Sequence, residues 1–303
     1  MGDSEQHKAV WDYLVRSATQ NVTFIHRAPN SRDDTPAGLT LLGLPRLSLS
    51  LEWPRSSSTG QPLVFLGEID LELLPNFSER HLLPSGGGLH FFVDLSNDPY
   101  NGHFEGAVKY STECLQNLPC RIPPEIRSDP VDLAHMYSDG PFVPSRKIGL
   151  KLDPRVVESY QLGWTVREVS TTGVNPHDIW LDLQRPAYER TFGLPQPPKG
   201  LTPTELRSWE IYLPPHLPIR ALKLGRHFLT DVTRFQLLGH GQLDLVDYRK
   251  DLAVDDLIMF FQFPSDRHSG FQWGDLWDLT FLISASDLRR RIFDKAFVEL
   301  VMI

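Results

Sequence analysis

The chain has 303 residues, of which 41% are hydrophobic and 11% aromatic, and its formal net charge is −8. This composition suits a globular protein with a sizeable core and one or two domains. The acidic balance argues against a nucleic-acid-binding protein, which needs a basic face for the phosphates. No stretch approaches the roughly 18 apolar residues of a membrane helix, and the first residues lack the basic and apolar regions of a secretion signal. We therefore expect a cytoplasmic protein without membrane contact.

The start of the chain predicts a helix followed by short strands. Residues 3–18 place apolar side chains such as Val10 and Leu14 at helical spacing, which predicts an amphipathic helix packed on a sheet. Residues 20–27 predict a strand. Residues 47–51 alternate leucine with polar residues, which is typical of a half-buried strand.

Residues 63–93 predict a strand–turn–strand unit, because two apolar runs flank a polar segment that ends in three glycines. Glu68 and Asp70 share one face of the first strand, since side chains repeat every two residues. Such a pair suits acid–base chemistry, but we interpret it as an exposed acidic face. The glycines could bind an anion through backbone N–H groups, but they indicate a turn. We interpret His90, inside the second run, as a structural histidine.

The middle of the chain, residues 96–218, is irregular and rich in proline, and it predicts a long insertion that would determine binding specificity. Within it, Asp153 and Pro154 make a good helix start, because proline is favoured at the first helical position. We predict a helix from there to residue 162. Residues 185–202 are the best linker candidate, since they hold several prolines.

The strand–turn–strand unit occurs again over residues 257–283, with the same order of apolar run, polar turn and apolar run as in residues 63–93. We predict that the two units form equivalent strand pairs in one continuous sheet. Residues 284–291 predict a short helix, and residues 296–303 predict a closing strand.

These elements predict one α+β domain over residues 1–303. We expect a largely antiparallel sheet that arose by internal duplication and is built from two related halves, with short helices packed on it. Residues 1–95 would form the first half, residues 96–218 the irregular insertion and residues 219–303 the second half.

Several short motifs fall in an order that resembles the bacterial YwqG-like family, a domain of unknown function. They are Gly43-Leu44-Pro45-Arg46-Leu47, Leu51-Glu52-Trp53-Pro54 and Gly60-Gln61-Pro62-Leu63 near the start, and Leu237-Leu238-Gly239, Trp273-Gly274-Asp275 and Asp287-Leu288 near the end. The sequence departs from the family pattern at Pro264 and Trp277, and the middle of the chain matches less clearly. The resemblance implies an α+β fold with an internal duplication, and it provides no catalytic residues.

No metal or cofactor is expected. Four acids lie around the turn of the second unit, where carboxylates could hold calcium or magnesium: Asp266, Asp275, Asp278 and Asp287. Their spacing fits no EF-hand loop, so we interpret them as turn and capping residues. Cys114 and Cys120 are not spaced as a C-x-x-C motif, and we expect free thiols.

Aromatic residues are interleaved with the acids of the second unit, which predicts either a core cluster or a binding platform, since aromatic side chains anchor interfaces. The residues assigned to this candidate binding surface are Asp255, Asp256, Asp266, Phe271, Trp273, Asp275, Trp277 and Asp278.

Two functions compete. The sequence contains no G-x-S-x-G, C-x-x-C or G-x-G-x-x-G motif, which favours a non-catalytic protein that binds another protein with a basic surface. By analogy with the YwqG-like family, this would be an immunity-type protein that neutralises a bacterial toxin, and its partner would be a basic toxin domain. The alternative is an enzyme of unassigned chemistry that uses carboxylates in a cleft between the halves.

Overall fold

The computed structural model describes residues 3–26, 36–95, 105–123, 150–160, 235–240, 254–265 and 278–301, together with single residues at 183, 245, 249, 252, 269, 271 and 273. Its α-helices are α1 (Asp3–Arg16) and α2 (Ala285–Arg289). Its strands are β1 (Thr19–His26), β2 (Leu39–Leu41), β3 (Val64–Asp70), β4 (Gly88–Val93), β5 (Gly106–Ser111), β6 (Leu150–Ser159), β7 (Phe235–Leu237), β8 (Leu257–Pro264), β9 (Asp278–Ser284) and β10 (Phe297–Val301). Short 3-10 turns cover Leu71–Leu73, Ser78–Leu82, Leu115–Asn117 and Phe293–Lys295.

All ten strands form one antiparallel sheet in the order β10-β9-β8-β7-β1-β6-β2-β3-β4-β5. The sheet curls until its two edge strands approach each other. A Cβ built on Gly106 of β5 would lie 2.9 Å from Cγ1 of Val298 in β10. The result is a nearly closed, barrel-like sheet.

The predicted α+β class is therefore wrong, because this is a mostly β protein in which the described residues form two α-helices. The antiparallel sheet itself was expected. The class is wrong because short helices were predicted where the chain forms strands, as at Asp153 in β6. β6 occupies the centre of the sheet, between β1 and β2.

The helix predicted at Asp153 is also wrong, since β6 runs through this position to Ser159. Val156 and Val157 favour a strand because they are β-branched. Pro154 is tolerated because the pairing of β2 with β6 ends at Leu152, and its ring lies against Gly38 just beyond that end, where no ladder N–H is needed.

Residues 47–51, predicted as a strand, form a turn in which Leu51 N donates to Ser48 O at 3.1 Å. The alternating pattern predicted that Leu47 and Leu49 lie on one buried face, but the two side chains are not equally buried. Leu47 is fully buried, whereas 79% of Leu49 is exposed.

The strand order has a pseudo-two-fold symmetry. Exchanging β1–β5 with β6–β10 reproduces the same order in reverse. β2 and β7 are each followed by a leucine and a glycine with positive φ. After β2, φ is 60° at Leu42 and 77° at Gly43, and after β7 it is 59° at Leu238 and 76° at Gly239. β3 and β8 both carry a register shift near the middle of the strand. Pairing resumes at Gly67 in β3 and at Phe261 in β8, each three residues before the last paired residue of its strand. The strand pairs β3–β4 and β8–β9 thus occupy equivalent positions in one sheet.

The two halves are joined by exchanged first strands. We call β2–β5 the first arm and β7–β10 the second arm. β1 precedes the first arm in the chain but pairs with β7 of the second arm. β6 precedes the second arm but pairs with β2 of the first. β1 and β6 pair with each other over eight positions, so neither arm is completed by its own first strand.

The hydrophobic core lies on the inner face of the curled sheet. Phe91 of β4 is central to it, because its ring lies 4.8 Å from that of Phe261, 5.2 Å from Phe281, 5.6 Å from Phe263 and 5.8 Å from Phe260. β4 and these partners on β8 and β9 belong to different arms. Burying such rings stabilises each by about 1.5–3 kcal/mol, so the core binds the arms together.

Helices α1 and α2 each bury few side chains. The predicted helix at the start of the chain is confirmed by α1, which buries Val10 and Leu14 completely. Trp11 and Val15 stay 37% and 45% exposed, so the apolar stripe is narrower than expected. α2 begins where Ser284 Oγ accepts a hydrogen bond from Asp287 N at 3.0 Å, which satisfies one of the free N–H groups of the first turn.

Among the glycines in the described ranges, Gly87 is expected to be the least tolerant of a side chain. Its φ is +88°, and a Cβ would lie 2.1 Å from the backbone oxygen of Ser111. We expect Gly87→Ala to lower the free energy of unfolding by about 2–4 kcal/mol, from backbone strain and steric overlap. The measurement is urea unfolding followed by circular dichroism.

Gly60→Ala is the matched control. Gly60 also has a positive φ, +69°, but a Cβ there would meet no atom within 4 Å. It should therefore cost only the backbone term, about 1 kcal/mol. Equal losses in the two variants would contradict the close contact between Gly87 and β5.

Candidate functional site

The outer face of the first arm, opposite the core, carries a buried row of polar side chains. Thr40 of β2 faces Glu68 of β3, and Glu68 faces His90 of β4. Directly opposed residues of antiparallel strands share one face of the sheet. Glu68 is 2% exposed and His90 is fully buried. We call these three residues the first outer row.

A chain of polar contacts runs along this row. Glu68 accepts two hydrogen bonds from Arg46, from the backbone N at 2.8 Å and from Nε at 2.7 Å. His90 Nδ1 lies 3.5 Å from Glu68 Oε2. On the other side of the ring, His90 Nε2 lies 3.0 Å from Ser111 Oγ. Charge-assisted hydrogen bonds such as those of Arg46 are the stronger kind.

The charge of Glu68 is stabilised by these neighbours. Burial alone would raise the pKa of Glu68, but the neighbouring His90 and Arg46 outweigh it and hold the pKa below its ordinary value. Removing the partner of a buried carboxylate is costly, because the charge is then left uncompensated in a low-dielectric site. The contacts therefore fix Arg46 and the loop that carries it on the sheet.

That loop is held by a second segment of chain. Arg46 forms an isolated β-bridge with Cys120, and Leu47 N donates to Pro119 O at 3.2 Å. Arg121 Nη1 donates to the carbonyl oxygens of Ser48 and Leu51 at 2.9 and 2.6 Å. The loops at 45–51 and 119–122 are thus fastened to each other by main-chain and guanidinium hydrogen bonds.

An apolar cluster anchors the same loops to the outer face of the first arm. It contains Leu47, Trp53, Leu63, Phe65 and Phe92. The indole Nε1 of Trp53 donates to the carbonyl of Leu63 at 2.9 Å, as a buried tryptophan usually requires. The outer face is consequently apolar at one end and polar at the end that holds the first outer row.

The contacts of Ser111, His90 and Glu68 follow the order of a nucleophile, a base and an orienting acid. The geometry nevertheless lacks access for a substrate, because Ser111 is only 1% exposed and His90 is fully buried. Glu68 is also neutralised by Arg46. What this arrangement does chemically is hold a buried charge and fix two loops.

Glu68 and Asp70, expected on one exposed acidic face, are both buried, at 2% and 1% exposure. Asp70 Oδ1 accepts from Glu72 N at 3.1 Å, and its Oδ2 accepts from Gln116 Nε2 at 3.1 Å. The expectation of an exposed face failed because the loops at 45–51 and 115–117 cover it. The two carboxylates serve separate partners.

The loops fastened by Arg121 display two apolar side chains to solvent. Leu49 is 79% exposed and Ile122 is 59% exposed. Two acids lie close to Leu49: Glu52 is on the same loop, and Glu113 Oε1 accepts from Ser48 Oγ at 2.9 Å. Hydrogen bonds from its own backbone and from Ser48 lower the pKa of Glu113. We call Leu49, Ile122, Glu52 and Glu113 the 49–122 surface.

The structure separates the residues of the binding surface predicted from the sequence. Phe271 and Trp273 stack at 5.3 Å in the core and are 2% and 0% exposed. Asp278 is buried and accepts from Gln262 Nε2 at 2.6 Å. These rings are therefore not available to a partner, because they fill the inner face of the sheet.

The acids of that predicted surface have different environments. Asp255 is exposed. Asp256 accepts from Ser286 N at 2.8 Å and so helps to start α2. Asp266, Asp275 and Trp277 lie outside the described residues.

Sequence reasoning missed Arg46, Ser111 and the 49–122 surface. Arg46 was noticed only as part of a motif, and its pairing with Glu68 spans 22 residues, which local periodicity does not reveal. A signal for Leu49 was present, since Leu49 stands between two serines in a segment whose turn propensity was overlooked.

Cys114 and Cys120 are free thiols. Within the described ranges, no group of three or more His, Cys, Asp or Glu side chains is placed to hold a metal ion. No helix in those ranges is both long and apolar enough to cross a membrane.

Residues 40–300 match the family model described as a domain of unknown function (DUF1963). The chain belongs to the DUF1963 family. The DUF1963 match spans both arms, the first outer row and the 49–122 surface, whereas α1 and β1 precede it. β1 nevertheless pairs with both β6 and β7. No curated protein matches the chain.

Glu68→Gln should remove the charge that holds Arg46 and lower the free energy of unfolding at pH 7 by about 2 kcal/mol. Because the folded-state pKa of Glu68 lies below the ordinary 4.5, its contribution is complete above that value and is lost as pH falls through the folded-state pKa. The difference in the free energy of unfolding between wild type and the variant should therefore become smaller in acid. Urea unfolding between pH 7 and pH 3 measures it.

Glu52→Gln is the control, since Glu52 is exposed and the change should shift stability by no more than about 0.5 kcal/mol. A gap between wild type and Glu68→Gln that stays constant from pH 7 to pH 3 would contradict the role assigned to Glu68.

Proposed function

We propose that this protein is a non-catalytic module that binds another protein through the 49–122 surface. The observation that carries the proposal is the exposure of Leu49 and Ile122, 79% and 59%, on loops that are fixed rather than free. A partner that covers large exposed apolar side chains removes their surface from water, which is favourable for binding.

The fixed loops favour binding because their order is established before any partner arrives. Arg121 bonds to Ser48 and Leu51 on either side of Leu49, and Arg46 is tied to the buried Glu68. Immobilising flexible side chains and loops at an interface costs free energy. A surface already rigid in the free protein avoids much of that loss.

The charges favour a basic partner. Glu52 and Glu113 flank Leu49, and the whole chain carries −8. The two nearby arginines are engaged: Arg121 with backbone carbonyls and Arg46 with Glu68. Complementary charges raise association rates and select partners. The partner we propose has an apolar pocket with a basic rim.

An immunity-type role is the most specific form of this proposal, with a basic toxin domain as the partner. It is supported by the acidic charge and by the sequence motifs that resemble YwqG-like proteins, from which we infer a kinship closer than the DUF1963 family alone. The exposed Asp255 is a further acid that such a partner could meet.

The alternative, an enzyme that uses carboxylates, receives less support from the geometry. Glu68, Asp70 and Asp278 are at most 2% exposed, and each accepts hydrogen bonds from the fold. A general base must reach its substrate within hydrogen-bond distance.

Leu49→Ser/Ile122→Ser is expected to weaken binding of the partner by about 2 kcal/mol, or roughly 30-fold, if these side chains are its anchors. The partner is first identified as a protein that wild type retains and the variant loses from the same native lysate. Its affinity for both is then measured by surface plasmon resonance at several salt concentrations.

Leu73→Ser is the control, because Leu73 is 39% exposed and lies outside the 49–122 surface. It should bind as wild type does, and all three proteins should melt alike. Equal retention of every protein by wild type and by the double variant would contradict the proposed surface. An acidic partner, or one whose association is independent of salt, would contradict the proposed charge complementarity.

A further inference from the structure

Helix α1 carries an exposed apolar stripe that the protein-binding proposal does not use. Trp11 and Val15 are 37% and 45% exposed, although Val10 and Leu14 beside them are fully buried. Because Trp11 and Val15 lie four residues apart, they are neighbours on the helix surface. His7 is exposed one turn before Trp11. We call His7, Trp11 and Val15 the α1 stripe.

The ring of Trp11 is ordered by a neighbour on that surface. His7 stacks on it, with the ring centroids 6.4 Å apart and an angle of 19° between the ring planes. Tryptophan is among the residues that contribute most to binding at protein interfaces. A side chain that is already ordered loses less conformational freedom when a partner covers it. The α1 stripe therefore has the features of an interface.

Four charged side chains run along α1 beside the stripe, and their signs alternate. All are exposed, and they follow each other at spacings of three or four residues, which places them along one side of the helix: Glu5, Lys8, Asp12 and Arg16. Such a pattern is typical of ion pairs within a helix. Among the described residues, however, the ion pairs lie in the first outer row and on α2. The charges of α1 are thus not neutralised by one another.

This alternating pattern is complementary to itself in the antiparallel direction. In the register that places Glu5 of one α1 helix opposite Arg16 of another, opposite charges meet. In the same register, Lys8 comes within one residue of the position opposite Asp12. A parallel pair in register would instead place equal charges side by side. Antiparallel helices also bring the positive end of each macrodipole to the negative end of the other.

We propose that α1 is a self-association surface through which two copies of this chain form an antiparallel, two-fold symmetric dimer. The register set by the charges brings the two Trp11 rings together at the centre of the helix pair. It also brings His7 of each copy beside Val15 of the other. Covering these side chains removes apolar surface from water. A two-fold interface is self-complementary, so each favourable contact occurs twice.

The length of α1 limits the strength of this dimer. The helix has 14 residues, which is about 21 Å at roughly 1.5 Å per residue. A single helix pair of that length falls in the class of small interfaces, below about 1,200 Å², which are weak. We expect a reversible dimer with a dissociation constant on the order of tens of micromolar. The dimer depends on α1 alone, whether or not the 49–122 surface binds a partner.

Sedimentation equilibrium of the full-length protein between about 1 and about 200 µM, a range that brackets a weak interface, measures the association. The average mass should rise from that of a monomer towards that of a dimer and no further. Trp11→Ser/Val15→Ser should raise the dissociation constant about tenfold or more. Leu252→Ser is the matched control, because Leu252 is 46% exposed and lies outside α1. It should associate as wild type does.

Charge exchange tests the orientation of the helices. Lys8→Glu and Asp12→Lys each place like charges opposite each other at two symmetric positions, so each should weaken the dimer about threefold or more. Lys8→Glu/Asp12→Lys restores opposite charges and should return the dissociation constant to within about twofold of wild type. Asp12→Lys also brings the net charge of −8 closer to zero, so general repulsion does not explain a weaker dimer in that variant.

Three results would overturn the proposal. One is a monomer throughout the concentration range, which would leave the α1 stripe to another occupant or to solvent. Another is a dimer that Trp11→Ser/Val15→Ser leaves unchanged, which would place the interface elsewhere. The third is a double charge exchange that associates no better than the single ones, which would contradict the antiparallel register. If the serine variant melts below wild type, the charge exchanges decide alone.

Discussion

The packing of Phe91 against four phenylalanine rings of the second arm is the contact on which the rest of the structure depends. A ten-stranded sheet has two edges, and an open one would expose unpaired strands. The rings of Phe91, Phe261 and Phe281 bring β4 over β8 and β9, so the sheet must curl. Closure then leaves Gly106 against Val298 at the seam, where a larger residue than glycine would hold β5 and β10 apart.

Because the closed sheet packs its apolar core on the inner face, the polar side chains of its strands lie on the outer face. The symmetry places one polar row on each half, and the two rows are satisfied differently. In the first half, Arg46 binds Glu68 and Ser111 contacts His90, and the loop that carries Arg46 also presents Leu49 to solvent. In the second half, Asn21, Thr23 and Thr280 keep unsatisfied groups. The duplicated architecture therefore carries the same row position twice, with different side chains.

Local sequence signals predicted those parts of the fold that depend on local physics. The apolar runs around Phe91 and Phe261 specify strands whatever their neighbours, and Ser284 starts α2 by capping it. The α+β class failed where context decided, since Pro154 is compatible with a strand only because β2 ends beside it. The binding surface predicted from the sequence was wrong for a related reason. An aromatic residue such as Trp273 suits a core as well as an interface, and only its stacking on Phe271 shows that it lies in the core. The pairing of Arg46 with Glu68 depends on the closed sheet.

The central claim is that the two halves form one cooperative unit, because their first strands are exchanged and Phe91 joins their cores. Hydrogen exchange measured by mass spectrometry across a urea series tests this most directly. Amides of β3–β4 and of β8–β9 should lose protection at the same urea concentration, and Phe91→Ala should lower that concentration equally for both pairs. If one pair stays protected after the other has opened, the halves are independent and the claim is wrong.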